Sequence, residues 1–310
     1  MSNRSTDILF QLIKSLEKAE KRHFKLYIKR SSARENLKVI KLFDAIDNGK
    51  DYDEKTILKK LPGIEKPQFA NLKIHLYKVL LASLRLLKSS ESIDLQLHEQ
   101  LDYARILYNK GLYLQSLKIL DKVKGIAKDY HQESFLIQMI SLEKKIETLH
   151  ITRSGDAAAD RLTAEANDVN RQRNEITALS NLALQLYQWY VKHGHARNVK
   201  DEKGVRLFFK QSLQLDTAKL TGFYQLLYLY QSYCWYAFIR QDFLMYYRYS
   251  KKWAELFNSE PLMITEETGH FIKGMHNLLT ANFNLRNFKQ FDHYLSRFER
   301  FALSQPANRH

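Results

Sequence analysis

The chain has 310 residues, 45% of them apolar and 27% charged, with a formal net charge of +15, which places it among folded globular proteins rather than disordered ones. Ten glycines and four prolines are too few to punctuate a protein of many strands and tight turns, so the composition points to an all-α fold. One cysteine, Cys234, excludes an intramolecular disulfide framework and a multi-cysteine zinc site.

The charge is unevenly placed. Residues 1–90 carry 20 Lys+Arg against 10 Asp+Glu, residues 91–218 carry 18 against 17, and residues 219–310 carry 11 against 7. A basic segment joined to a nearly balanced remainder invites an acidic partner, either nucleic acid or an acidic protein surface. The start, Met1 to Asp7, lacks the apolar run of a secretory signal, and no stretch approaches the roughly 20 apolar residues that span a bilayer. A cytoplasmic protein without membrane contact is the expectation.

From Thr6 to Arg30 the apolar residues Ile8, Leu9, Leu12, Ile13, Leu16, Phe24 and Ile28 keep a helical period, opened by a cap at Ser5 or Thr6. Lys18, Lys21, Arg22, Lys25, Lys29 and Arg30 form a candidate basic patch on this stretch. The alternative is a solvated helix surface, with Glu17 and Glu20 pairing locally. A helix over Arg34–Asp47 ends at Asn48-Gly49, where glycine suits a left-handed cap. A short helix over Glu54–Leu61, a break at Pro62-Gly63 and a long helix over Pro67–Lys88 follow. This helix-turn-helix order in a basic region places Gln68, Asn71, Lys73 and His75 near the start of the long helix, where a DNA-reading helix contacts bases. Against that, Phe69, Leu72, Leu76, Val79, Leu80, Leu84 and Leu87 give the same helix the apolar surface of a core element.

The polar run Ser89-Ser90-Glu91-Ser92 marks a boundary, giving an N-terminal basic helical domain over 1–90 and a helical array of about five pairs over 91–310. Within Leu97–Tyr130, Ala104, Tyr108, Gly111, Tyr113, Ser116 and Leu120 resemble the tetratricopeptide repeat, which sets small residues where two antiparallel helices cross and a glycine near the turn. The resemblance implies a TPR-like α-solenoid of antiparallel helix pairs, with a concave face that binds protein segments. The opening run Glu20-Lys21-Arg22-His23-Phe24-Lys25-Leu26-Tyr27 is similar to the start of uncharacterised bacterial proteins that carry such repeats, and that similarity implies no activity.

Further pairs are expected over Gln132–Ile151 with Asp156–Arg171, joined at Ser154-Gly155, and over Glu175–Lys192 with Gly204–Leu215. Two more follow, Leu220–Ile239 with Phe243–Phe257 and Thr265–Leu285 with Phe288–Leu303. The last two carry the clearest signal in the chain. Phe243, Tyr246, Tyr249, Trp253 and Pro261 recur at a constant offset of 45 residues as Phe288, Phe291, Tyr294, Phe298 and Pro306. Aromatics three and four residues apart share one helix face, and a face of that kind is buried by stacking neighbouring copies. Tyr246 and Phe291 stand where the family has small residues, so these two helix pairs must cross farther apart or with another geometry. Only Ala307 to His310 follow Pro306, with no capping helix in view. The face of Phe291, Phe298 and Phe301 is therefore expected to mediate self-association at the C-terminal end, or to be covered in a longer chain.

Tyrosines crowd Phe223–Phe257. Core packing explains most of them, and Tyr224, Tyr228, Tyr233, Arg240 and Tyr247 are candidates for a partner-binding groove. His193 and His195 flank a glycine, and His270 and His276 lie six apart, neither at metal-ligand spacing, so no metal is expected. No phosphate loop, nucleophile elbow or Cys-His dyad is present, and no cofactor is expected. A non-enzymatic scaffold that binds a protein or peptide is the resulting expectation. The alternative is a regulator that contacts nucleic acid through its basic N-terminal part.

Overall fold

The computed structural model describes residues 7–30, 34–62, 64, 66–89, 91–150 and 156–304. The expected cap at Ser5 or Thr6, the joint at Ser154-Gly155, and Pro306 with the residues after it lie outside that set. The described residues form fifteen α-helices and one 3-10 turn, with no strand among them. The chain divides into two compact units, Met1–Glu99 and Gln100–His310.

In the first unit, α1 (Ile8–Ser15) and α2 (Lys18–Lys29) replace the single helix expected from the periodicity. Leu16 and Glu17 are extended between them, and the Glu17 N–H donates to the Glu20 carboxylate at 2.9 Å. The charged run is thus a helix start, with a glutamate three residues in satisfying an orphan donor. α3 (Arg34–Asp47), α4 (Glu54–Lys59) and α5 (Lys66–Lys88) complete the unit. Gly49, after α3, does not adopt the left-handed conformation foreseen for it. The core joins Ile13, Phe24, Phe43, Ile46, Ile57, Phe69, Leu76 and Leu80 from all five helices. α5 is a core helix on one side only, because Ile74, Leu81 and Leu86 on its other side are exposed.

α6 (Ile93–Asn109) and α7 (Tyr113–Asp129) lead into α8 (Glu133–His150), α9 (Asp156–His193) and α10 (Val199–Ser212). α11 (Phe223–Ile239), α12 (Phe243–Ser259), the short α13 (Leu262–Glu266), α14 (Thr268–Asn284) and α15 (Phe288–Ser304) follow. In the second unit packing runs from neighbour to neighbour: α7 on α8, α8 on α9, α9 on α11, α11 on α12, α12 on α14 and α14 on α15. α9 corrects the expectation of two helices meeting near 171–175. Arg171 bridges that point, bonding Asp168 at 2.5 Å and Glu175 at 3.1 Å, and no glycine or proline interrupts the 38 residues.

The 45-residue offset appears in the backbone itself. α11 and α14 are each 17 residues and start 45 apart, and so are α12 and α15; α6 and α7 are also 17 residues each. All three pairs turn over three residues through the same hydrogen bond, from an N–H to the carbonyl five residues earlier: Leu112 to Leu107, Asp242 to Ala237, and Asn287 to Asn282. The left-handed residue that this turn requires is Gly111, Gln241 or Arg286. The same closure, Gln132 to Ala127, with His131 left-handed, joins α7 to α8.

At the crossing of α6 and α7, Ser116 Oγ donates to the Ala104 carbonyl at 2.8 Å, both residues being fully buried. The matching positions of α11 and α12 hold Cys234 and Tyr246, where a small thiol stands beside the large ring. α12 and α14 approach closely, since a Cβ on Gly274 would lie 2.9 Å from the buried Trp253 ring. α15 turns an exposed polar side outward through Asp292, Ser296, Glu299 and Arg300. Phe298 and Phe301 pack on the core beneath, the Phe301 ring on Phe271, while the Phe291 ring meets Phe283, which is itself exposed. Of the face expected to be open for self-association, Phe298 and Phe301 are therefore half-buried within the unit.

Candidate binding site in the helical array

The five groove candidates do not share a surface. Tyr224 and Tyr228, one turn apart on α11, face α14. The Tyr224 hydroxyl donates to Glu267 Oε1 at 2.7 Å, His270 Nδ1 lies 2.7 Å from Glu267 Oε2, and the Tyr228 ring meets the edge of His270. Burial pushes both tyrosines up, reinforced at Tyr224 by its bond to the Glu267 carboxylate. Burial would also raise Glu267, but the hydrogen bonds from His270 and Tyr224 outweigh it and hold the carboxyl below its usual range.

Tyr233 and Arg240, seven residues apart, lie on a different side of α11. Tyr233 stacks on Tyr249 at 4.0 Å and touches Phe209 of α10, and burial together with Tyr249 pushes its hydroxyl up to about 12. Arg240 bonds Glu202 of α10 at 2.8 Å and lies over the Tyr236 ring. Tyr247 is half-buried on α12, packed on the core. Tyr224 and Tyr228 thus come together with Glu267 and His270, while Tyr233 and Arg240 meet α10 and Tyr247 packs on the core from α12.

A second polar site was not read from the sequence. A cavity of about 260 Å³ opens between the end of α7 (Lys128, His131), the start of α8 (Glu133, Leu136) and one side of α9 (Glu165, Asp168, Val169, Gln172). Beside it lies an ion network with a buried centre, Lys124 and Glu143, and exposed outer cations, Lys128 and Arg161. Lys124 Nζ is 2.5 Å from Glu143 and 3.1 Å from Glu165, Lys128 is 2.7 Å from Glu165, and Arg161 is 3.5 Å from Glu143. Burial would lower Lys124, yet its bonds to Glu143 and Glu165 raise it; burial would raise Glu165, yet Lys128 and Lys124 lower it.

Glu133 differs. It is 9% exposed, and burial raises its carboxyl against the smaller effect of its own backbone N–H, its only hydrogen-bond partner among the described residues. His131 Nε2 is buried without a hydrogen bond, 3.7 Å from Glu260. One signal was available in the sequence: Glu165, Asp168, Gln172 and Glu175 follow at spacings of three and four and share a helix face.

In the first unit two of the six residues of the basic patch are compensated. Lys21 pairs with Asp47 at 2.6 Å and Lys25 with Asp44 at 2.7 Å, both partners on α3. Lys73, foreseen beside the reading residues, is bonded to Asp7 and Tyr52; these bonds outweigh its burial and raise it. Lys18, Arg22, Lys29 and Arg30 are exposed and pair with no described carboxylate. Gln68, Asn71 and His75 line a cavity of about 360 Å³ with Lys38, over Ile64 and Leu72.

Cys234 is buried, which raises its thiol, and it stands at a small cavity with His276 and Lys273. His195 Nδ1 lies 2.8 Å from the Phe238 carbonyl, and His193 packs on Trp189. Among the described residues no three His, Cys, Asp or Glu side chains are grouped to hold a metal ion, and no helix is long and apolar enough to cross a membrane. In comparisons with protein-family models, with curated proteins and with solved structures, the chain matches none.

Proposed function

We propose that the chain is a non-enzymatic, cytoplasmic scaffold whose TPR-like array binds a segment of another protein on its concave face. The observation that carries this reading is the repeated pair of 17-residue helices closed by the same turn, since pairs of constant size stack into a continuous surface. The first helices of the last two pairs, α11 and α14, then line that surface. Tyr224, Tyr228, Trp235, His270, Lys273 and His276 supply the amphipathic rings and polar tips that peptide grooves use. A photocrosslinking residue at position 228 is expected to capture a partner in the native cell, whereas one at Tyr233, which faces α10, is not. Capture from both positions alike, or from neither, would sink the reading.

A second reading is a regulator that touches nucleic acid through the first unit, favoured by the four uncompensated cations and by the exposed Gln68, Asn71 and His75. If it holds, duplex affinity falls with salt by about 0.9 log units per log unit of salt for each phosphate neutralised, and Arg22→Glu with Lys29→Glu abolishes it. An anisotropy titration at low salt that shows no binding to duplex or single strands removes it.

A further inference from the structure

We propose that the cavity between α7, α8 and α9 is a subsite for a cationic side chain, that of an arginine or lysine in the protein segment the array binds. This rests on the reading of the array as a segment-binding surface and names the chemistry that its first half selects.

The argument starts from charge compensation. Three carboxylates line the cavity, and two are satisfied within the chain: Glu165 by Lys124 and Lys128, and Asp168 by Arg171 at 2.5 Å and Gln172 at 2.8 Å. The third, Glu133, is nine-tenths buried and has no cation opposite it among the described residues. Burying a carboxylate without a countercharge is costly. The start of α8 offsets part of that cost through the helix dipole, but a polar residue facing water would gain the same benefit without the desolvation. Next to it, His131 Nε2 is buried and lacks a hydrogen bond. The Glu133 carboxylate, with no countercharge among the described residues, marks where a ligand's donor would sit.

Size and walls fit one long side chain. The volume of about 260 Å³ lies below the roughly 300 Å³ at which pockets for drug-sized ligands begin. Leu136 and Val169 line the cavity with apolar surface against which a methylene stem packs while its charged head reaches Glu133. The planar fork of a guanidinium can meet Glu133 from α8 together with acceptors on α9, which favours arginine over lysine. The acidic character is local, since residues 91–218 carry 18 basic against 17 acidic side chains. Segment-wide charge therefore did not produce it.

The test uses the full chain with ¹³C-labelled glutamate, the Glu133 side-chain carboxyl being assigned by its loss in Glu133→Gln. Four probes are titrated: a blocked pentapeptide with one central arginine among alanines, its norleucine counterpart, n-butylguanidinium and n-butylammonium. The expected result is a saturable shift of the Glu133 signal, at least tenfold tighter for the arginine peptide than for the norleucine peptide. No saturable shift with any cation, or equal shifts with norleucine, overturns the proposal. A response to the free amines but not to the arginine peptide overturns the assignment to a protein side chain. If position 228 captures a partner whose affinity is the same for wild type and Glu133→Gln, the subsite fails while the groove stands. If position 228 captures nothing, the groove fails whatever Glu133 does. Should Glu133→Gln not fold, the wild-type comparison of arginine with norleucine decides alone.

Discussion

The basic N-terminal unit and the nearly neutral array handle charge in opposite ways. In the first, the surplus that the sequence displays is partly spent at the helix surface, where Lys21 and Lys25 lean on Asp47 and Asp44, and Lys73 is held by Asp7 and Tyr52. In the second, an even balance of charges conceals Lys124, Glu143 and Glu165 in a closed network, with Glu133 left open beside it. What distinguishes the two units is whether a buried group meets a countercharge, not the net charge of its segment.

Breaking the array's network gives the largest expected effect. Lys124→Met leaves Glu143 buried beside only the exposed Arg161, at 3.5 Å, so a loss of about 3 kcal/mol is expected by urea denaturation. Lys124→Met with Glu143→Leu restores most of it, because a buried pair replaced by apolar groups is close to neutral. The depressed Glu165 contributes stability above its unfolded pKa that is lost as pH falls through its folded value. The raised Lys124 contributes below its unfolded pKa and loses its share as pH rises through its folded one. A wild-type unfolding profile with no acid-side difference from the Lys124 variant would contradict the network's role.

A packing change sets the scale without charge. Gly274→Ala drives a methyl to 2.9 Å from the Trp253 ring, which is rigid and buried, so α12 and α14 must separate; about 1–3 kcal/mol is expected by thermal unfolding. An unchanged midpoint would show that the crossing yields freely.

Glu133→Gln sharpens the comparison from the other direction. A raised carboxyl pKa favours the protonated form in the folded state, so this stability is present below the unfolded pKa and lost as pH rises through the folded one. The variant is therefore expected to unfold at a higher temperature than wild type at neutral pH, with the difference vanishing near pH 4, about the range of an ordinary carboxylate. A lower midpoint at neutral pH would mean that the ionised form is satisfied after all.

The smallest effect belongs to the N-terminal surface. Lys21→Ala and Lys25→Ala are each expected to cost about 0–1 kcal/mol, because their pairs with α3 are partly solvated. A loss as large as that of Lys124→Met would erase the contrast between the two units.

By itself the sequence determined the helical class and the 45-residue repeat. Both rest on local causes: apolar spacing fixes which face of a helix is buried, and scarce glycine and proline leave long helices uninterrupted. It also located the turn at Gly111, since glycine adopts the left-handed conformation without strain. Gln241, Arg286 and His131 take the same conformation with nothing in their side chains to announce it. Tertiary structure decided the rest. The backbone shows that α9 runs unbroken from Asp156 to His193, and the neighbours show that Tyr233 and Arg240 meet α10 while Tyr224 and Tyr228 face α14. The isolation of Glu133 depends on which carboxylates Lys124 and Lys128 of α7 reach on α8 and α9, and charge compensation between elements distant in the chain leaves no periodic trace in a sequence.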